Sequence, residues 1–217
     1  MSPVSPSTLL VVLDADSTLI ENEAIELLAD CAGSLDYVTR ITERAMRGEL
    51  DFAESLRLRV ETLKGVSADV FDEVRGRIRP TPGVQELIDG VHGAGGTIGV
   101  VSGGFHELLD PVAQELGVDR WRANRLEVVD GVLTGRCLGD IVTASTKAES
   151  LVGWASELGI PLHRTVAIGD GANDLEMMEK AGLSVAFNAK PAVRQRAHVC
   201  IDRPDLSLVL PLLGLRG

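Results

Sequence analysis

The run Leu9-Leu10-Val11-Val12-Leu13 ends abruptly in Asp14-Ala15-Asp16-Ser17-Thr18. Consecutive apolar residues without polar alternation read as a strand buried on both faces, as in a parallel sheet. Ligands of an open α/β sheet bind at the carboxyl ends of its strands. Two carboxylates at such an end can divide labour, one attacking or binding metal and the other moving protons. An acidic turn closing a strand would carry the same residues, and a motif this short is not decisive alone. The rest of the chain has to separate the two readings.

From Glu21 to Arg79 the chain is rich in Glu, Leu, Ala and Arg and has no strand-like run. Ala24, Ile25, Leu27 and Leu28 form one helical stripe, and Phe52, Leu56 and Val60 another. Such a block is long for a simple crossover. Residues 21–79 are therefore expected to be a helical subdomain inserted into a core of residues 1–20 and 80–217. Pro80-Thr81-Pro82-Gly83 marks the return to the core. Gly83 to Gly93 then reads as a helix, Thr97 to Val101 as a buried strand ending at Ser102-Gly103-Gly104, and Phe105 to Leu116 as the next helix. Asp130-Gly131 between two β-like runs signals a hairpin. Lys147 falls in a helix running to about Leu158. Thr165 to Ile168 is a further buried strand, ending at Gly169-Asp170-Gly171-Ala172-Asn173-Asp174, with a helix to about Ala181 behind it. Leu183 to Phe187 and His198 to Ile201 complete the strands. This alternation predicts an α/β fold on a parallel sheet.

The 217 residues suit one large domain or one domain with an insertion. A net charge of -11 argues against a nucleic-acid partner, although an acidic protein can hold a locally positive site. Cys31, Cys137 and Cys200 are odd in number and far apart, which supports neither a disulfide framework nor a zinc ribbon. Reduced thiols in a cytoplasmic protein fit better. The start, Met1-Ser2-Pro3-Val4-Ser5-Pro6, lacks a basic segment and a long apolar run. It reads as a short flexible leader rather than a signal peptide or membrane anchor.

Parallel strands bring their carboxyl ends to one sheet edge, so Asp14 and Asp16, Ser102, and Asp170 with Asp174 are expected to converge. A hard cation such as Mg²⁺ takes oxygen ligands and keeps several waters. Asp14 and Asp170 offer carboxylates, and a backbone carbonyl near Asp16 a third oxygen. Glycines at 103, 104, 169 and 171 let a ligand approach backbone amides, while Ser102 and Lys147 add a hydroxyl and a cation. Together these fit a phosphate held between metal, ammonium and N–H groups. Asp14 is then placed to attack phosphorus, and Asp16 to protonate the leaving alkoxide and activate water.

Asp14-x-Asp16-x-Thr18, Ser102 after an apolar strand, Lys147, and Gly169-Asp170-Gly171-x-Asn173-Asp174 resemble the four ordered motifs of the haloacid dehalogenase-like superfamily. Val101-Ser102-Gly103-Gly104-Phe105, Ala123-Asn124-Arg125-Leu126 and Asn188-Ala189-Lys190-Pro191 extend the resemblance to its phosphoserine phosphatase family. The resemblance implies a Rossmann-like core with a small helical cap, and hydrolysis of L-phosphoserine as the last step of serine biosynthesis. It also implies a Mg²⁺ site at Asp14, Asp16 and Asp170, phosphate contacts from Ser102, Gly103, Lys147 and Asn173, and support from Asp174. In the family, cap residues clamp the serine moiety, and the matching positions here are Glu23, Met46, Phe52 and Arg59. The chemistry agrees: Glu23 suits an ammonium, Arg59 a carboxylate, and Met46 and Phe52 exclude water. Two departures stand out, a small Ala15 between the acids and no glycine near Lys147. A monomer and a homodimer both remain open.

A lone Lys147 would ordinarily be a solvated surface residue, and Met46 and Phe52 ordinary core. No Walker-type loop occurs, Val100 replaces the first glycine of a nucleophile elbow, and Ile25 stands where an EF-hand needs Glu. The nearest alternative passes the phosphoryl group to another alcohol, such as homoserine. A dehalogenase has no use for the second acid, Asp16. A receiver-like signalling module would lack the helical insertion.

Overall fold

The computed structural model describes residues 8–46 and 49–215, with Met46 described by its backbone alone. The expectations for the leader Met1 to Pro6 and for the Met46 side chain lie outside the described residues. Among the described residues seven strands form one sheet: β1 Leu10–Leu13, β2 Thr97–Phe105, β3 Arg120–Val129, β4 Val132–Leu138, β5 Thr165–Gly169, β6 Leu183–Phe187 and β7 Val199–Ile201. Their order is β4-β3-β2-β1-β5-β6-β7, and every neighbouring pair is parallel except β3 with β4. The fold is thus the expected α/β class.

β1 lies at the centre, pairing Leu13 with Val100 of β2 on one side and with Ile168 of β5 on the other. Its four side chains alternate between two cores. Val11 and Leu13 enter one apolar cluster with Ile98, Val166 and Val185, whereas Leu10 and Val12 enter another with Leu151, Ala155, Met177 and Met178. Burial on both faces is why the run carries no polar residue. Helices α5 Val84–Gly93 and α6 His106–Leu116 cover the first face, and α7 Ala144–Glu157 and α8 Leu175–Lys180 the second. Among the described residues no helix is long and apolar enough to cross a membrane.

Among the described residues between Glu21 and Arg79 the named elements are helices: α1 Ala24–Cys31, α2 Leu35–Met46, α3 Phe52–Glu61 and α4 Val70–Arg75. The chain leaves and returns side by side, since Ile20 bridges Pro80 and the Glu21 amide donates to the Arg79 carbonyl at 2.8 Å. Ala24, Ile25, Leu28, Leu56 and Val60 of this block join the first apolar cluster. Leu27, read into the helical stripe, is only half-buried.

Asp130 and Gly131 both adopt positive φ, the two-residue turn that matches strand twist. β2 runs further than expected. Ser102, Gly103 and Gly104 stay extended instead of turning, because Phe105 still pairs with Asn124 of β3 after a register shift, and α6 starts one residue later. A C-terminal 3-10 segment, Leu206–Leu213, was not expected; it buries Leu206, Val209 and Leu210 beside α5.

Candidate active site

β1 ends where Asp14 turns the chain into the tight turn Ala15–Leu19. Asp14 is 4% exposed, and its Oδ1 accepts the Ala15 amide at 2.7 Å. Ser17 in this turn has φ 56, a left-handed conformation uncommon for a residue with a Cβ. That kink separates the two acids. Asp16 swings aside and its Oδ1 accepts the Ala24 amide at the start of α1, 3.0 Å away. Burial, then Glu23, then Asp14 push the Asp16 carboxyl well above the usual range. A raised carboxyl holds its proton to higher pH than an ordinary one, which suits a general acid.

Lys147, on the first turns of α7, is 1% exposed. Its Nζ lies 2.7 Å from Asp14 Oδ1 and 2.8 Å from Asp174 Oδ1. Burial alone would lower its pKa, but the two carboxylates reverse this and the pKa is raised. Asp174 is fully committed, because its Oδ2 accepts the Gly171 amide at 3.1 Å. Burial and Asp14 push its carboxyl up to about 7 against the pull of Lys147. A Cβ on Gly169 would collide with the Asp174 carboxylate, so glycine is what lets this side chain fold back under β5.

Asp14, Asp170 and Asp174 each offer a carboxylate oxygen within 4.8 Å of the others. An all-oxygen set of this kind suits a hard cation. With Asp174 held by Lys147 and Gly171, the oxygens left for one are those of Asp14 and Asp170. Burial and Asp14 raise the Asp170 carboxyl. Asp14 Oδ2 has one long contact, 3.4 Å from Asn173 Nδ2.

A cavity of about 430 Å³ opens over these groups. Asp14, Asp16, Asp170, Gly103 and Asn173 form its floor, and Glu23, Phe52 and Arg59 its helical side. Phe52 closes directly on Gly103, where a Cβ would meet the ring at 2.8 Å. Glu23 accepts the Ser17 hydroxyl at 2.7 Å, and its carboxyl is raised mainly by burial. Arg59 donates its Nε to the Ser55 carbonyl at 3.2 Å, which leaves its two terminal nitrogens for a ligand. Burial lowers its pKa, partly offset by Glu23 and Asp16.

Two expected residues stand back from the cavity wall. Ser102 is 1% exposed and its hydroxyl accepts the Gly104 amide at 2.8 Å, and Lys147 lies behind Asp14. Residues without an assigned role also line the cavity, among them Ser55 and Lys190. Lys190 Nζ lies 3.5 Å from Asp170 Oδ2. The Asn188-Ala189-Lys190-Pro191 signature, placed just after β6, was the available signal for it.

The model of the haloacid dehalogenase-like hydrolases matches residues 11–179, from β1 through α8. The chain belongs to this family. Its haloacid dehalogenase-like core carries the two-acid motif, the buried lysine and the later acid pair at one sheet edge. Among relatives, a phosphoserine phosphatase of Streptomyces coelicolor is 53% identical over 206 residues, covering 95% of this chain and 50% of that protein. One from Streptococcus thermophilus is 50% identical over 208 residues, covering 96% of this chain and 97% of the relative. The chain thus spans about half of the first and nearly all of the second. A solved phosphoaspartyl-intermediate analogue of phosphoserine phosphatase superposes with TM-score 0.90 at 42% identity, covering 95% of this chain and 99% of that one. A substrate-bound phosphoserine phosphatase gives 0.91 at 41%, covering 96% and 99%.

Proposed function

We propose that this chain is a Mg²⁺-dependent phosphatase that hydrolyses L-phosphoserine in the cytoplasm, as the last step of serine biosynthesis. The observation that carries the reading is the asymmetry of Asp14. Oδ1 is held by the Ala15 amide and Lys147, while Oδ2 is nearly unencumbered at the cavity floor.

In the reading, Asp14 Oδ2 attacks phosphorus and the bond from phosphorus to the seryl oxygen breaks. Asp16 delivers its proton to that oxygen, releasing serine and leaving an aspartyl-phosphate. Asp16, now a carboxylate, takes a proton from water as the water oxygen attacks phosphorus. Phosphate leaves and Asp14 is restored. Lys147 holds Asp14 in line and offsets negative charge on the phosphoryl group; Ser102, Gly103 and Asn173 orient its oxygens. Asp14, Asp170 and the carbonyl of Asp16 would hold Mg²⁺, which supplies charge neutralisation for an anionic substrate meeting an anionic nucleophile. Asp174 acts through Lys147 as a positioning residue.

On this reading residues 1–20 and 80–217 are the catalytic core and residues 21–79 a cap over it. Glu23 takes the ammonium and Arg59 the carboxylate, while Phe52 and Met46 exclude water. The test is phosphate release from L-phosphoserine, phosphothreonine, sugar phosphates and p-nitrophenyl phosphate, with Mg²⁺ and with EDTA, beside Asp14→Asn. Preference for L-phosphoserine, lost with EDTA and in the variant, is expected. Turnover of other esters with none of L-phosphoserine refutes the substrate; an active Asp14→Asn refutes the mechanism.

A further inference from the structure

Ser55 combines two properties that rarely coexist. It is 1% exposed, yet among the described residues its hydroxyl has no hydrogen-bond partner. A buried hydroxyl normally finds one, and leaving it without one is destabilising. Serine in a helix has a ready solution, the carbonyl four residues back. That carbonyl, of Asp51, already accepts the Ser55 amide at 2.9 Å, and the hydroxyl takes no share of it. Ser55 instead lines the 430 Å³ cavity.

Its neighbour defines what the hydroxyl meets there. Arg59 is four residues further along α3 and so on the same helical face. Its Nε is tied to the Ser55 carbonyl at 3.2 Å, so the backbone of one residue orients the guanidinium of the other. One face of α3 thereby carries the two terminal nitrogens of Arg59 and, beside the cavity, the buried hydroxyl of Ser55, which has no partner among the described residues. All are donors, and donors in this number suit a carboxylate, which accepts at two oxygens. Glu23, an acid, lines the same cavity and suits the ammonium.

We infer that Ser55 is a specificity residue, whose hydroxyl donates to the α-carboxylate of the substrate beside Arg59. This deepens the amino-acid phosphate reading above and rests on it. The hydroxyl is then left without a partner in the free protein so that one is present in the complex.

The test measures kcat and KM of wild type and Ser55→Ala on L-phosphoserine and on phosphoethanolamine, which keeps the ammonium and lacks the carboxylate. Ser55→Cys, close in size with only a weak donor, is the second variant. KM for L-phosphoserine should rise about 10- to 100-fold in both variants, the range for a hydrogen bond to a charged group. kcat should change little, as expected where a uniform binding contact is lost. KM for phosphoethanolamine should stay within about twofold. The melting temperature of free Ser55→Ala should not fall, because no bond of the free protein is removed. An unchanged ratio of the two KM values, with wild type preferring L-phosphoserine, overturns this inference alone. Wild type that does not distinguish the two substrates overturns it together with the substrate reading. An equal loss on both substrates assigns the hydroxyl elsewhere and also overturns it.

Discussion

Replacing Lys147 with Met tests whether the lysine holds the site together or merely visits it. Met is close in length, so packing is largely kept. What is lost is the cation between Asp14 at 2.7 Å and Asp174 at 2.8 Å, both nearly inaccessible to water. Stranding a buried charge in this way costs about 3–5 kcal/mol. In a chain of this size each kcal/mol moves the melting temperature by about 2–4 °C, so a fall of about 6–20 °C is expected. The pH dependence carries the sharper test. Even with the lysine present, the Asp174 carboxyl is pushed up to about 7, against about 3.9 in an unfolded chain. Without the lysine it rises further. The folded variant then binds protons that the unfolded chain does not, so its stability increases as pH falls through that window. The lysine of the wild type has a raised pKa and stays charged throughout. The deficit should therefore be largest at pH 8 and narrow toward pH 5.5, and Asp174→Asn on the same background should recover part of it. The assay is thermal unfolding by circular dichroism in EDTA. A fall under about 2 °C, or a deficit constant with pH, would refute the argument.

Three further outcomes follow from the same geometry. Gly169→Ala drives a methyl into the Asp174 carboxylate, and overpacking of this kind costs about 1–3 kcal/mol; calorimetry should show a lower melting temperature, and an unchanged one means Asp174 has room to move. Burial raises the Glu23 carboxyl above its ordinary 4.5, and in the proposed binding mode the substrate ammonium needs it ionised; KM for L-phosphoserine should rise as pH falls through that raised value, and Glu23→Gln should show a higher KM that is flat with pH. Asp14→Asn should lose turnover by about 10³-fold or more while unfolding at a temperature close to wild type, which single-turnover phosphate release and calorimetry together would show.

Much of this was legible in the sequence because burial on both faces leaves no choice of residue. β1 is apolar throughout, β5 is apolar after Thr165, and each is followed at once by an acid, so both strand and acid were readable. The continuation of β2 was not, since Gly103 and Gly104 carry no pattern and it depends on Phe105 meeting Asn124 across the sheet. The withdrawal of Ser102 behind Gly104 follows from the same extension. The partners of Lys147 were hidden for another reason. A lone lysine predicts a surface, and only folding brings it to Asp14 near the start of the chain and to Asp174, 27 positions further on. Ser55 carries no signal in the sequence, because nothing local distinguishes a serine without a partner from one bonded to its own helix.

The charge balance of the site ties these features together. Five carboxylates, those of Asp14, Asp16, Glu23, Asp170 and Asp174, gather against three basic groups, Lys147, Arg59 and Lys190. Fully ionised, the site lacks two positive charges. The shifts record that shortfall, since burial and neighbouring acids raise the carboxyls of Asp16, Glu23, Asp170 and Asp174 alike. A divalent cation matches the deficit in sign and size, and an oxygen-only donor set selects a hard one. Lys147 does not remove the deficit, because it is already counted among the three basic groups and lies between Asp14 and Asp174. The division is economical in geometry: the lysine holds Asp14 from behind, and the other side of Asp14 and Asp170 faces the cavity, where the proposed cation and phosphoryl group would sit. An acidic protein can in this way receive an anionic substrate, with attraction confined to the atoms where the chemistry takes place.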